Sequence, residues 1–138
     1  MSDSNPNDCP FCRLPPERVI ESNAHALVVA DAFPVSPGHT LVILRRHVAS
    51  FFETTSEELK AVYELLHSAK NRLDRTLMPG GYNIGVNVGA IAGQTVEHIH
   101  IHLIPRYSGD MPNPIGGVRN IISCKGTYST FERKVYDE

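Results

Sequence analysis

The sequence has no long apolar run, no surplus of charge of either sign, and too few cysteines for a disulfide framework. Nothing in it approaches the roughly 20 apolar residues that cross a bilayer, so no membrane partner is expected. Thirteen basic residues face fifteen acidic ones, for a formal net charge of −2. That balance excludes the basic footprint of a nucleic-acid binder. The start, Met1 to Asp8, is polar and lacks the apolar segment of a signal peptide, which points to the cytoplasm and reduced thiols. Internal repeats and low-complexity tracts are also missing. What remains is 138 residues, 41% hydrophobic and 20% charged, the profile of one ordinary globular domain.

Within it stands His98-Ile99-His100-Ile101-His102-Leu103-Ile104. In a strand, alternate side chains share a face, so the three histidines would line up about 6.5–7 Å apart. The apolar residues between them suit a buried face. Three imidazoles on one surface read as a site, with chemistry left open among three uses. One is chance placement of surface histidines. A second is metal ligation by neutral imidazole. The third is nucleophilic catalysis, one ring attacking while its neighbours position the substrate.

The surrounding pattern predicts an α+β fold: an antiparallel sheet with one long helix packed across it, in a single domain. Ala26–Ala30 and Thr40–Leu44 are short apolar runs bounded by turn signals, and read as strands. Phe33 to His39, with Pro34, Pro37 and Gly38, is a turn-rich connection. Thr55 followed by Glu58 fits a capping box. Leu59, Val62, Tyr63, Leu66, Ala69, Leu73 and Leu77 continue at helical spacing, until Pro79-Gly80-Gly81 stops the helix. Residues 82–88 and 96–104 read as two further strands, separated by the Gly89–Gly93 loop. Pro105 is expected to end the last of them. Tyr107 to Gly117 reads as a loop opening a tail over residues 108–138.

Cys9-Pro10-Phe11-Cys12 is a Cys-x-x-Cys, and Cys124 stands alone. A redox pair would sit at a helix start after a first strand, and no strand precedes this one. Half of a zinc site, needing two more ligands, is the better reading. Two unliganded thiols on a tail are the simple alternative.

The flanks of the histidine run choose among its uses. Ala92-Gly93-Gln94-Thr95-Val96-Glu97 precedes it and Pro105-Arg106 follows. With Pro34-Val35-Ser36-Pro37-Gly38-His39-Thr40-Leu41-Val42-Ile43 upstream, residues 9 to 107 resemble the histidine triad superfamily, most closely its fragile-histidine-triad branch. The resemblance implies attack on the α-phosphate of a nucleotide through a covalent nucleotidyl-histidine intermediate. The substrate class it implies is a dinucleoside polyphosphate or a nucleoside phosphoramidate. It makes His100 the nucleophile, His102 a phosphate ligand and His98 a supporting residue. His100 then needs an acceptor, such as a backbone carbonyl, for its other ring nitrogen. Asp31, His39, Asn87, Gln94 and Thr95 fall at positions that bind the nucleotide, and the base is expected in an apolar slot formed by the first strands and the region of Phe33. Relatives in the fragile-histidine branch carry asparagine at Asp31 and glutamine at Asn87, so these two positions resemble a different branch and leave the substrate open.

The resemblance also implies a structural zinc held by Cys9, Cys12, His47 and His98, with no cofactor needed for catalysis, and a homodimer. A nucleotide-binding signalling module with little turnover is the alternative function. A metal-dependent hydrolase using the three histidines as ligands is a third, and it alone requires metal for the chemistry.

Overall fold

The computed structural model describes residues 6–123, 125 and 126. Cys124 and the end of the tail lie outside the described residues. The chain divides after Arg106 into two compact units. In the first, a five-stranded antiparallel sheet carries one long helix. The strands are β1 (Val19–Ser22), β2 (Ala26–Ala30), β3 (Thr40–Leu44), β4 (Gly81–Gly85) and β5 (His100–Arg106), and the helix is α1 (Ser56–Thr76). Their order across the sheet is β1-β2-β3-β5-β4.

β2 and β3 fall where the apolar runs place them. β1 is an addition: with only four residues after Pro15-Pro16, it has too little alternation to register in sequence. β4 stops at Gly85, short of the expected residue 88. β5 is displaced by comparison with residues 96–104, starting at His100 and running through Pro105 to Arg106. Proline is tolerated there because pairing with β3 ends at Leu103. Beyond that point Pro105 faces only β4, opposite Tyr82, and its carbonyl accepts the Ser36 hydroxyl at 2.7 Å.

Thr55 caps α1 in the expected box. Its hydroxyl accepts Glu58 N–H at 3.1 Å, and Glu58 Oε1 accepts Thr55 N–H at 2.9 Å. Glu58 is buried as well, with its carboxylate held by both Nε and a terminal nitrogen of Arg46 at 2.8 and 2.9 Å. That guanidinium holds the Glu58 carboxyl down at about 2. The buried stripe, Ala61, Val62, Leu65, Ala69 and Leu73, shares Val62, Ala69 and Leu73 with the expected one and adds Ala61 and Leu65, while Tyr63 and Leu77 are exposed. The helix ends at Thr76, ahead of the proline, with Met78 in the left-handed region at φ 48°. Met78 N–H bonds back to Leu73 O at 3.2 Å.

β3 is buried along its whole length. On one face, Ala26, Val28, Val42, Leu44, Ile99, Ile101 and Leu103 pack against Val62, Leu65, Ala69 and Leu73 of the helix. Each valine, leucine and isoleucine among them contributes about 1.5–3 kcal/mol. On the other face Val29, Leu41 and Ile43 meet Phe11, Leu14 and Val19. Residues paired across antiparallel strands share a face, and Ile43 pairs with His100 and Leu41 with His102. The histidines therefore stand on the face that the helix leaves uncovered.

The second unit begins with a turn in which Tyr107 N–H donates to Asp110 Oδ2 at 3.0 Å. A single 3-10 turn follows at Gly117–Ile121, and Arg119 Nε donates to Gly126 O at 3.3 Å. No helix among the described residues is long and apolar enough to cross a membrane.

Candidate functional site

The three histidines do not form one row. His100 and His102 stand side by side on β5, ring centres 5.2 Å apart. His98 precedes the strand, fully buried, because Ile99 N–H leaves the sheet register to bond Val48 O at 2.7 Å. Its Nε2–H donates to Leu44 O at 2.6 Å, so Nδ1 carries the lone pair. That nitrogen faces Cys9 Sγ at 3.3 Å, Cys12 Sγ at 3.4 Å and His47 Nδ1 at 3.2 Å.

Cys9, Cys12, His47 and His98 thus come together as one group, all four donor atoms within 4.8 Å of each other. Hydrogen bonding cannot account for this crowding. Three neighbours converge on one nitrogen lone pair, which accepts a proton from only one of them. Four thiolate and imidazole donors around a point are the ligand set of a closed, structural Zn²⁺ site. The carbonyl behind His98 is the outer partner that fixes a ligand histidine's tautomer. Burial pushes the Cys12 thiol up to about 11, with the Cys9 thiol beside it adding to the rise.

The other histidines form a second group. His100 Nδ1–H donates to the backbone carbonyl of His98 at 2.8 Å, which leaves Nε2 as a bare lone pair. This is the carbonyl acceptor that a nucleophilic His100 needs. His102 is set the opposite way. Val35 N–H donates to His39 Nδ1 at 3.1 Å, so the His39 proton sits on Nε2 and points at His102 Nδ1, 2.9 Å away. His102 in turn keeps its proton on Nε2. Asp31 Oδ2 flanks the pair, 3.3 Å from His39 Nε2 and 4.0 Å from His102 Nδ1. Asp31, His39 and His102 are also close enough to share a metal, but the proton on His39 Nε2 argues against it. Burial holds His39 below the ordinary imidazole value, with Asp31 opposing. Burial also lowers His102, helped by His100 and His39. Both are neutral at pH 7.

The remaining positions divide. Asp31 Oδ1 accepts Phe33 N–H at 2.8 Å, so this residue caps its own turn as well as facing the histidines. Gln94 organises the loop before β5. Its Oε1 accepts Gly89 N–H at 2.8 Å, and its Nε2 donates to Ala49 O and Val96 O at 2.9 and 3.0 Å. Both of its amide protons are committed to backbone. Asn87 is half-buried just past β4 and Thr95 is exposed. Phe33 is 86% exposed, and beneath the histidine face Val29, Leu41 and Ile43 are buried against Phe11, Leu14 and Val19. Two features escape sequence reading: the Val35 bond that orients His39, and the seating of Phe11 against His100, ring centres 4.9 Å apart.

A helix-backed antiparallel sheet with paired imidazoles on its open face defines a histidine-based site of the triad type. The HIT domain model matches residues 14–109, and the chain belongs to that family. An uncharacterized HIT-like protein of Mycoplasma genitalium is 41% identical over 111 residues, covering 78% of this chain and 79% of that protein. Adenylylsulfatase HINT3 of Arabidopsis thaliana is 33% identical over 109 residues, covering 75% of this chain and 55% of that one. Among solved structures, a Zn-bound histidine triad family protein from Mycobacterium smegmatis has a TM-score of 0.71 at 31% identity, covering 79% of this chain and 82% of the other.

Proposed function

We propose that the chain is a nucleotide hydrolase or transferase that attacks the α-phosphate through His100. The observation that carries this reading is the bond from His100 Nδ1–H to the His98 carbonyl. It leaves Nε2 unprotonated and nucleophilic near neutral pH, without an auxiliary base. Nε2 forms a bond to the α-phosphorus as the bond to the leaving group breaks, and the leaving group departs with that electron pair. Water then attacks the phosphorus as the P–N bond breaks, its electron pair returning to Nε2; the nucleoside monophosphate leaves, His100 is neutral again, and the proton lost by water passes through solvent to the departed group. His102 Nε2–H, fixed by His39, donates to a non-bridging oxygen and stabilises the charge that develops there. No cofactor takes part in this displacement.

The substrate class is a dinucleoside polyphosphate or a nucleoside phosphoramidate, and the adenylylsulfatase name of one relative supports an adenylyl group. Asp31, Asn87 and Thr95 complete the nucleotide site. Zn²⁺ at Cys9, Cys12, His47 and His98 has a structural role, supported by the donor crowding and by the zinc-bound relative. A cytoplasmic setting agrees with the free thiols of Cys9 and Cys12. β4 ends the sheet with Ile84 54% exposed, an edge suited to pairing with a second copy.

The test is chromatographic. Wild type and His100→Ala are incubated with diadenosine tetraphosphate and, separately, adenosine phosphoramidate. AMP is expected from wild type, with a loss of roughly a thousandfold or more in the variant, as for removal of a nucleophile. Near wild-type rates in His100→Ala would overturn the assignment. Activity that a chelator abolishes while circular dichroism shows an intact fold would favour the metal-dependent alternative.

A further inference from the structure

The turn Cys9–Cys12 lies between the two groups of histidines and touches both. Cys9 is buried, its thiol 3.3 Å from His98 Nδ1. Cys12 Sγ is 3.2 Å from His47 Nδ1. Between them, the ring of Phe11 meets His98 edge-on, with centres 6.0 Å apart at 85°. It meets His100 at 4.9 Å and 73°. Its far side packs on Val29, Leu41 and Ile43 and lines a cavity with Leu14, Val19, Leu27 and Arg45.

The backbone bonds around this segment are local, Cys9 N–H to Pro6 O at 3.2 Å and Arg18 N–H to Pro15 O at 3.0 Å. Among the described residues, it meets the sheet through the two thiols and the apolar side chains of Phe11 and Leu14. Segments tied mainly by side chains open at low free-energy cost. Whatever clamps the thiols therefore fixes Phe11.

We propose that Phe11 is a positioning residue for His100, seated by the Cys/His cluster, so that metal held by the cluster and nucleotide held at His100 strengthen each other's binding. His98 provides a second link. Its ring faces the thiols while its carbonyl holds the Nδ1 proton of His100. Clamping of the cluster thus fixes both the face and the tautomer of the nucleophile. Binding linkage is reciprocal: a ligand that binds better to the clamped form must tighten the clamp by the same factor.

The inference rests on nucleotide binding at His100, and the experiment separates the two. Zinc-loaded wild type is titrated with a chromophoric chelator, with and without saturating AMP, while calorimetry measures AMP binding to the same loaded protein. AMP is expected to raise the chelator concentration needed for zinc release about tenfold, within the usual range for coupled sites. Phe11→Ala should still take up zinc and bind AMP more weakly, and at saturating AMP it should lose the shift, while Phe11→Leu should keep part of it. Wild type that binds AMP but releases zinc unchanged would overturn the inference alone, as would an undiminished shift in Phe11→Ala. Protein that takes up no zinc would also overturn it. Failure of loaded wild type to bind AMP would remove the proposed function together with the inference.

Discussion

His39 Nε2–H reaches His102 Nδ1 across 2.9 Å, tying the loop before β3 to the face of β5. Val35 N–H fixes the direction of that bond by occupying His39 Nδ1. One strand position away on the same face, the His98 carbonyl fixes His100 in the opposite sense. Two imidazoles 5.2 Å apart are thus held in opposite tautomers, one presenting a lone pair and the other a proton. Sequence alone gives two identical side chains; backbone groups make them different.

Removing His39 should release His102 from its tautomer. His39→Ala is expected to lower kcat by about ten- to hundredfold, as losing an orienting partner does at other sites, with a smaller change in KM. His39→Gln, whose amide can donate to His102 Nδ1, should recover part of the loss. Steady-state kinetics on the better of the two substrates measure this, and identical losses in both variants would refute the orienting role.

The same pair makes stability depend on pH. Burial holds His39 and His102 below the ordinary imidazole value, so the unfolded chain takes up protons first as pH falls. Their contribution is complete above about pH 6.5, the unfolded value, and is lost progressively below it. Thermal unfolding from pH 7.5 to 5.5 should show a falling Tm in wild type and a shallower fall in His39→Asn.

How much of this was legible depends on how local each cause is. β2 and β3 could be read because Ala26–Ala30 and Thr40–Leu44 carry their own pattern and punctuation. The start of β5 could not. Alternation places His98 in the strand, but Ile99 N–H bonds Val48 O outside the sheet register, and His98 faces cysteines 89 and 86 positions away. Pro105 looked like a terminator because proline cannot donate, and the absence of a β3 partner beyond Leu103 is a property of the assembled sheet. The apolar period of α1 marks Val62, Ala69 and Leu73 correctly but cannot separate them from Leu59, Tyr63 and Leu77, which follow the same spacing, nor does it pick out Ala61 and Leu65. The four cluster residues were grouped by resemblance rather than spacing, and the packing of Phe11 between the two histidine groups had no signal in either.

Glu58 joins helix capping to a charge, and the two can be separated. Its carboxyl is held at about 2, first by Arg46, so the charge stabilises the fold above about pH 4.5 and ceases to do so as pH falls toward 2. Glu58→Gln keeps an acceptor for Thr55 N–H but loses the charge. Its Tm should lie below wild type at pH 6, with the gap narrower at pH 3 and closing only toward pH 2. Thr55→Ala removes the cap itself and should cost about 1 kcal/mol at both pH values.

The exposed edge of the sheet has a consequence for mass. Pairing through β4, the last strand of the sheet among the described residues, would cover an edge of the kind that templates aggregation, together with Ile84. Light scattering is expected to give twice the 15.3 kDa chain mass. Ile84→Lys, on that edge, should shift the mass toward that of one chain. A monomeric wild type would refute the pairing.

Gly38 bears on both fold and site. Its φ of +86° lies in the left-handed region, and a Cβ there would stand 2.9 Å from Leu73 Cδ2 and from Leu77 Cδ1, and 3.2 Å from Pro105 Cγ. Both leucine contacts are the ends of flexible chains, whereas the proline ring lies within β5 and cannot turn aside. Gly38→Ala therefore combines backbone strain with displacement of the helix end or the strand, and should cost more than about 1 kcal/mol. The displacement would reach the neighbouring residue, His39, and through it His102. Chemical denaturation and kcat are both expected to fall in this variant, while Gly80→Ala, where an added Cβ meets only Arg106 O at 3.8 Å, should leave kcat unchanged. A Gly38→Ala protein of lowered stability but full kcat would show that the turn supports the fold without setting the histidines.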